Sequence, residues 1–202
     1  MTKITGWHLS LRFPNEHDRT IFEIARHEFQ NCRTPFAFGY ENVANFDAYM
    51  NLLGNYRRGI NLPTGHVPAL FMLGEVDGTV VGRITIRMRL NEPLQRYGGH
   101  INYVVRPQFR GQGFAKAMLV AATDIARQLG LKKLLVCSSA HNLPARQVIL
   151  ACGGNFESKV THDDGEVRDR FWIPLCSEDA ETFKPSLPIQ PVTLWEGSSL
   201  HH

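Results

Sequence analysis

The hexapeptide RGQGFA at positions 110–115 stands between a stretch with strand periodicity and a stretch with helix periodicity. Its glycines, Gly111 and Gly113, permit a tight turn in which successive backbone N–H groups converge on an anion. The N-terminus of the following helix adds a favourable dipole. The hexapeptide therefore predicts a phosphate-binding turn, and the alternative is an ordinary turn that precedes a helix.

Two common phosphate-binding motifs do not match this turn. A Walker loop requires the pattern GxxxxGK[ST], which does not occur here. A dinucleotide fingerprint counted from Gly111 requires a third glycine at position 116, where Lys116 stands, and no βαβ crossover opens the chain. The turn consequently predicts a pyrophosphate site in another kind of fold.

Hydrophobic periodicity on both sides of the turn predicts the order of elements. Alternation of apolar and polar residues predicts strands over residues 7–13, 69–76, 80–90, 100–105, 134–138, 155–161 and 167–174. Helical spacing predicts helices after Asn15, after Asn45, over 113–129 and over 144–152. Residues 59–68 and 91–99 read as loops. This order predicts an α/β (α+β) domain whose mixed, mostly antiparallel sheet carries helices on both faces.

Length and composition set the class of protein. The 202 residues, of which 43% are hydrophobic and 20% charged, predict one globular domain over residues 1–176 and a tail over 177–202. We interpret the terminal His201 and His202 as the remnant of a purification tag. A net charge of +3 with scattered basic residues argues against nucleic-acid binding. We expect no membrane span, no secretory signal and no metal site, and hence a cytoplasmic protein.

The longer stretch HINYVVRPQFRGQGFAKAML, at positions 100–119, resembles the central motif of the GNAT (N-acetyltransferase) superfamily. In that motif a strand and Val-x-Pro precede Arg/Gln-x-x-Gly-x-Gly/Ala at the start of a helix. Those places are held here by Val105, Pro107, Arg110, Gly113 and Ala115. Downstream, NLPA at 142–145, followed by a helix and two glycines, resembles the second motif. The resemblance spans residues 69–174 and is closest to a bacterial subgroup of predicted acetyltransferases, which shares the segments at 61–63, 89–91 and 97–101.

The resemblance implies the GNAT fold, in which the strands at 100–105 and 134–138 splay apart and hold the pantetheine arm of acetyl-CoA. It implies contacts to this arm from the backbone of Val104 and Val105, with Asn142 at the entrance of the flanking helix. Arg146 is expected near the adenine or its 3′-phosphate. The pyrophosphate is expected on the phosphate-binding turn and the first helical turn, at Arg110, Gly111, Gln112, Gly113, Phe114 and Ala115.

The activity implied by the resemblance is transfer of an acetyl group from acetyl-CoA to a primary amine of a small molecule or peptide. The alternative is a non-catalytic acyl-CoA-binding module. A toxin-like acetyltransferase acting on charged tRNA fits least, because that group is shorter, more basic and dependent on a tyrosine that is missing here. The expected partner is therefore an amine acceptor, and we expect binding to neither nucleic acid nor membranes. A homodimer and a monomer are both compatible with the sequence.

An amine is mostly protonated at neutral pH, so that the reaction needs a proton acceptor. His100 is the first candidate base, because it begins the strand where several relatives place a glutamate and its ordinary pKa of about 6.5 suits the task. The alternative is a structural histidine at a strand start. Tyr103 faces the other way from His100 and is read as a core residue.

A proton donor for the leaving thiolate is harder to assign. Many family members carry a tyrosine in the helix after the asparagine motif, but Ile149 occupies that place. Tyr97, in the loop before the strand, is the substitute candidate, and release of the thiolate without an acid is the alternative. Asn142 is assigned to catalysis as well as to cofactor binding. Cys152 is read as a buried structural thiol.

Two further groups of residues have both a structural and a functional reading. Arg83, Arg87 and Arg89 share a strand face, which is either solvated or forms a wall that recognises an anionic substrate. Phe36 and Phe38 belong to an aromatic run between the first two helices, which either packs as a loop or covers the substrate.

Overall fold

The computed structural model describes residues 8–175, and the predicted tail at 177–202 lies outside that range. Within it, seven strands form one sheet in the order β1-β2-β3-β4-β5-β7-β6. The strands are β1 (Leu9–Arg12), β2 (Ala69–Val76), β3 (Thr79–Arg87), β4 (Ile101–Val105), β5 (Lys133–Ser139), β6 (Asn155–Thr161) and β7 (Val167–Pro174). The helices are α1 (Arg19–Glu28), α2 (Phe46–Arg58), α3 (Phe114–Gln128) and α4 (Leu143–Ala151).

The sheet is mixed, as predicted. Every neighbouring pair of strands is antiparallel except β4 and β5, which run parallel. A parallel pair needs a crossover, and α3 supplies it between β4 and β5. The predicted order of elements, βαα followed by βββαβαββ, is confirmed.

Asparagine caps begin the first two helical segments. The Asn15 side chain accepts the N–H of His17 at 2.9 Å, and the Asn15 N–H donates to the Asp18 carboxylate at 2.8 Å, so that a short turn of 3-10 helix leads into α1. The Asn45 side chain accepts the N–H of Ala48 at 2.9 Å and starts α2. Both caps satisfy backbone donors that a helix leaves unpaired.

Alternate residues of β2 face two separate cores, and this places helices on both sides of the sheet. Leu70 and Met72 pack with α3, whereas Phe71 and Leu73 pack with the aromatic side chains of α1 and α2. On the α3 side, Gly74 lets the helix approach closely, because a Cβ there would lie 2.5 Å from the sulfur of Met118. No helix within residues 8–175 is long and apolar enough to cross a membrane.

The structure differs from the sequence prediction around the end of β3. This strand ends at Arg87 and not at residue 90. Its partner β2 begins at Ala69, and Pro68 still accepts the N–H of Met88 at 2.9 Å but has no N–H with which to continue the ladder. The predicted loop at 91–99 contains a turn of π-helix at Leu94–Gly98. The Asn91 side chain stabilises this turn by accepting the N–H of Leu94 at 3.1 Å.

Candidate active site

The two parallel strands separate soon after they meet. Their register contains a single pair, Ile101 with Val136, although β4 continues to Val105 and β5 to Ser139. The gap is a cavity of about 370 Å³, which we call the cleft cavity. Its walls come from β4, β5 and α4 and include Ile101, Tyr103, Val136, Ser138, Asn142, Ala145 and Ile149. The predicted splayed pair of strands is thus confirmed.

His100 joins the two strands where the split begins. Its backbone N–H donates to the carbonyl oxygen of Leu135 at 2.7 Å, and its ring Nδ1 accepts the Leu135 N–H at 2.9 Å. Gly99 allows this close approach, since its φ is 66° and a Cβ would lie 2.5 Å from the Leu135 oxygen. The histidine therefore replaces one step of the regular ladder and fixes the start of the cleft.

This geometry does not suit His100 as a base. The side chain is buried, and burial together with the charge of Arg87 lowers its pKa to about 4. A neutral imidazole that accepts at Nδ1 carries its proton on Nε2, which leaves no free lone pair for a second proton. His100 also does not line the cleft cavity. The geometry favours the structural alternative for this residue.

The ladder between β3 and β4 determines which backbone groups face the cleft. The N–H of Arg106 donates to Val81 at 2.9 Å, and the N–H of Arg87 donates to His100 at 2.8 Å. Bonded pairs alternate in an antiparallel ladder, so that Val104 bonds toward β3 as well. The residues whose backbone faces the cleft are Tyr103 and Val105. The predicted cofactor contacts thus correspond to a cleft-facing backbone at Val105 but not at Val104, whose groups bond to β3.

The turn at 110–115 has the conformation that the glycines suggest. Gly111 and Gly113 have φ values of 75° and 89°, and a Cβ at Gly111 would meet nothing within 4 Å. The Arg110 side chain holds the turn against the end of β4 by donating to the Val105 carbonyl at 3.1 Å, and Gln112 donates to the Gln108 carbonyl at 3.1 Å. No side chain caps α3 and no acidic residue stands in its first turn. The positive end of this helix is therefore not offset by an acidic side chain in its first turn.

The two predicted ligands on α4 have different surroundings. The Asn142 side chain caps the helix by accepting the Ala145 N–H at 3.1 Å, and the residue lines the cleft cavity as expected. Arg146 forms an ion pair of 2.6 Å with Asp169, whose side chain is buried. Its guanidinium also lies 5.6 Å from the ring centre of Phe171. Arg146 is thus anchored to β7 through Nη1, and its side chain is still 38% exposed.

A second cavity of about 370 Å³ lies on the face of the sheet that carries α1 and α2. We call it the arginine cavity, because Arg33, Arg83 and Arg87 all line it. It shares Arg33, Thr34 and Asn102 with the cleft cavity. The two cavities are therefore neighbours on the Asn102 side of β4.

The strand face that carries the three arginines is not uniformly solvated. Arg89 is exposed, but Arg83 is 1% exposed because the loop after α1 folds over it. Arg83 donates to the carbonyl oxygens of Phe36 and Pro35 at 2.9 and 2.7 Å and to Asn102. The solvated interpretation is therefore wrong for Arg83. Phe36 is buried in the core, as the packing interpretation expects, and Phe38 is half-exposed beside the arginine cavity.

The candidate proton donors differ in whether they line the cleft cavity. The Tyr97 hydroxyl donates to Asp163 at 3.3 Å, its ring packs 4.7 Å from His162, and the residue lines neither cavity. Tyr103 and Ser138 both line the cleft cavity, and both of their hydroxyls are buried without a hydrogen-bond partner among the described residues. Ser138 was missed from the sequence, although it is a polar residue that follows an apolar run in β5.

No group of three or more His, Cys, Asp or Glu side chains within residues 8–175 is arranged to hold a metal ion.

Tyr103 packs against the core, and burial raises the pKa of its phenol, so that the phenol stays protonated and is a hydrogen-bond donor. Ile149, at the place of the usual tyrosine, is buried in the wall of the same cavity. The wall of the cleft thus includes a tyrosine, which comes from β4 and not from α4.

Known proteins share this architecture. The family model "Acetyltransferase (GNAT) family" matches residues 20–153. The uncharacterized N-acetyltransferase YycN of Bacillus subtilis (strain 168) is 33% identical over 91 residues, which is 45% of this chain and 56% of that relative. The matched segment therefore spans about half the length of the curated relative.

Solved structures are similar in fold at low sequence identity. The yncA protein of Salmonella typhimurium, solved with its cofactor acetyl-CoA, has a TM-score of 0.59 at 15% identity and covers 85% of this chain and 96% of its own. RimJ of Mycobacterium smegmatis, in complex with CoA-disulfide, has a TM-score of 0.60 at 20% identity, and the match covers 81% of this chain and 80% of RimJ. A chimera of the spermidine N-acetyltransferase SpeG from Vibrio cholerae and hSSAT has a TM-score of 0.59 at 16% identity, and the match covers 83% of this chain and 96% of the chimera. The family match over most of the chain, together with the split sheet, shows that the chain belongs to the GNAT acetyltransferase family.

Proposed function

We propose that the protein transfers an acetyl group from acetyl-CoA to a primary amine of a small molecule or peptide by direct attack. The observation that carries this proposal is the meeting of the cleft cavity and the arginine cavity at Asn102. An acyl donor held in the cleft and an amine held on the opposite face of the sheet reach each other there. Holding two reactants in such an arrangement is a large part of the catalysis of acyl transfer.

The residues of the cleft fit acetyl-CoA. The phosphate-binding turn at 110–115 and the uncapped start of α3 would hold the pyrophosphate, since both present positive backbone dipoles to open space. The backbone of Tyr103 and Val105 and the hydroxyl of Ser138 would bond the amides of the pantetheine arm. Buried hydroxyls without partners are uncommon in proteins, and a ligand in the cleft would satisfy them. The yncA and RimJ structures, which hold acetyl-CoA and CoA-disulfide, support this assignment.

When bound, acetyl-CoA supplies the thioester carbon that the amine attacks. The N–H of Tyr103 is the first backbone donor of β4 beyond the Ile101–Val136 pair that faces the cleft, and we assign it to the carbonyl oxygen of the thioester. We assign the Tyr103 hydroxyl, in place of Tyr97, as the hydrogen-bond donor to the leaving sulfur. A thiol has an ordinary pKa of about 8.5, so that this step needs only a weak donor.

The amine loses its proton without His100 in this proposal. Glu166 lines the cleft cavity, but it is a weak base. Burial would raise its pKa, yet hydrogen bonds from Arg168 and Ser139 and the charge of Arg33 outweigh burial and lower it. We therefore assign proton removal to water, with the cationic lining of the arginine cavity lowering the pKa of the bound ammonium.

A matched pair of glycine substitutions tests cofactor binding. Gly111→Glu places a carboxylate in the phosphate-binding turn, and Gly130→Glu does the same after the far end of α3. Both glycines have nearly equal positive φ, 75° and 79°, and open space around a Cβ, so that the backbone cost is similar. We expect acetyl-CoA to raise the melting temperature of the wild type and of Gly130→Glu, but not of Gly111→Glu.

An unchanged melting temperature of the wild type with acetyl-CoA would refute the assignment of the cofactor. Transfer itself is measured as release of the CoA thiol with a panel of amines. If acetyl-CoA binds and no amine in the panel releases CoA, the chain is instead an acyl-CoA-binding module.

A further inference from the structure

Resting on the proposed acetyl transfer, we propose that the acceptor is a small amine that carries a carboxylate and an apolar group, and that Arg87 binds the carboxylate. The arginine cavity is the acceptor site in this arrangement. The inference depends on three properties of that cavity, namely its charge, the position of Arg87 and the chemistry of its remaining wall.

The charge of the cavity is positive and only partly neutralised. Of the residues that line it, three are arginines and none is an aspartate or glutamate. Arg33 is already paired, with Glu166 at 2.6 Å and with Asp164. Within residues 8–175, no carboxylate forms an ion pair with Arg83 or Arg87. The cavity therefore holds two guanidinium groups without a counter-ion, which is an unfavourable state that an anionic ligand would relieve.

Arg83 and Arg87 differ in how many of their donors are used. Arg83 donates to three backbone carbonyls and to the Asn102 side chain, so that it supports the loop after α1. Within residues 8–175, Arg87 forms hydrogen bonds through Nη1 alone, which lies 3.0 and 3.4 Å from the carbonyl oxygens of Gly99 and Gly98. Its other donors are available to a carboxylate, which a guanidinium binds through two parallel hydrogen bonds.

Arg87 stands at a suitable distance from the reaction centre. Thr85 is directly opposite Asn102 in the ladder, and Arg87 is two residues further along the same face. Two residues of strand correspond to about 7 Å. An amine at the junction of the two cavities, close to Asn102, would therefore lie a few bonds from a carboxylate on Arg87. This spacing suits an amino acid or another short amino carboxylate.

The rest of the wall is mostly apolar. It includes Phe38, Leu53, Tyr56, Val67, Phe71 and Leu94. A volume of about 370 Å³ is at the lower end of the range for small-molecule sites and accommodates an amino acid with a large apolar side chain. A polyamine, by contrast, would bring several positive charges beside the arginines, and the described lining offers no carboxylate to receive them.

The test compares acceptors that differ in one charge. L-phenylalanine and L-leucine are compared with their carboxamides and with spermidine, and CoA release is measured. We expect kcat/KM to be at least about 10-fold higher for the acids than for the carboxamides, as removal of one charged hydrogen-bond pair predicts. Arg87→Met should abolish this preference by slowing the acids about 10- to 100-fold more than it slows the carboxamides. Arg89→Met, two residues after the end of β3 and at an exposed position, should retain the preference.

A binding measurement separates this inference from the proposed transfer. N-acetyl-L-phenylalanine, the product, should raise the melting temperature of the wild type and of Arg89→Met, but not of Arg87→Met, and acetyl-CoA should stabilise all three, which shows that they are folded. Any of three results overturns the role of Arg87 without contradicting the proposed acetyl transfer. These are equal rates for acids and carboxamides, a faster reaction with spermidine, and binding of the product by Arg87→Met. Binding of the product that depends on Arg87, without CoA release from any amine, supports the site and refutes the transfer.

Discussion

The buried His100 ring, which accepts the Leu135 N–H, predicts how the stability of the protein depends on pH. The folded protein holds the pKa of His100 at about 4, below the ordinary value of 6.5, chiefly because the ring is buried and secondly because Arg87 is close. The unfolded chain therefore binds a proton between pH 6.5 and 4 that the folded chain does not. Stability is present above pH 6.5 and falls as the pH decreases through this window.

The size of the effect follows from the two pKa values. Their difference corresponds to about 3 kcal/mol at about 1.4 kcal/mol per pH unit, and most of this is lost between pH 7.5 and 4.5. His100→Asn removes the titrating group but keeps an acceptor near the position of Nδ1. We therefore expect the wild type to be more stable than His100→Asn at pH 7.5, and this advantage to shrink by about 2 to 3 kcal/mol at pH 4.5.

Urea unfolding of both proteins at a series of pH values measures this difference in the free energy of unfolding. The contributions of carboxylates that titrate in both proteins cancel in the difference. His17→Asn, at a histidine whose side chain is 87% exposed, serves as the control substitution. A constant difference between wild type and His100→Asn would refute the assigned burial of a neutral imidazole. A change in the pH–rate profile without a change in stability would restore His100 as the catalytic base.

Two further substitutions separate catalytic from structural roles. Tyr103→Phe removes a buried hydroxyl that has no partner among the described residues, so that the free energy of unfolding should stay constant or rise by about 1 kcal/mol while kcat for acetyl transfer falls. Tyr97→Phe is the control, and an equal fall in its kcat would contradict the choice of Tyr103. Gly82→Ala should lower the free energy of unfolding by about 2 kcal/mol or more in urea titrations, because its Cβ would contact the Val104 carbonyl oxygen and the Val105 Cα. Unchanged stability of this variant would show that β3 and β4 are less closely packed than described.

The elements themselves were readable from the sequence because their signals are local. The hairpin strands at 155–161 and 167–174 were predicted with the bounds that the structure has, since alternating residues and a glycine turn lie within one short segment. The caps at Asn15 and Asn45 were recognisable for the same reason. The turn of π-helix at Leu94–Gly98 was not predicted, because it depends on the Asn91 side chain and on the glycines that follow, and not on any hydrophobic period.

The site was predicted less completely than the fold. The glycine turn at 110–115 and Asn142, which lines the cleft cavity, were recognisable because the motifs that contain them are contiguous. Val104 was chosen where Tyr103 faces the cleft, since the direction of a backbone group depends on which strand forms the neighbouring ladder. The pairing of Arg146 with Asp169 joins residues 23 positions apart and could not be foreseen from either segment alone.

The sequence by itself determined the family, the order of the elements and the turn at 110–115, because glycines with positive φ and hydrophobic periods act over a few residues. Only the tertiary structure decided the environment of His100, Arg83 and Arg87. Each of them is defined by groups distant in sequence, namely Leu135 for His100, the loop at residues 35–36 for Arg83, and the absence of any described carboxylate partner for Arg87. Burial and charge compensation are properties of the folded surroundings, and they determine which arginine supports the fold and which is available to a substrate.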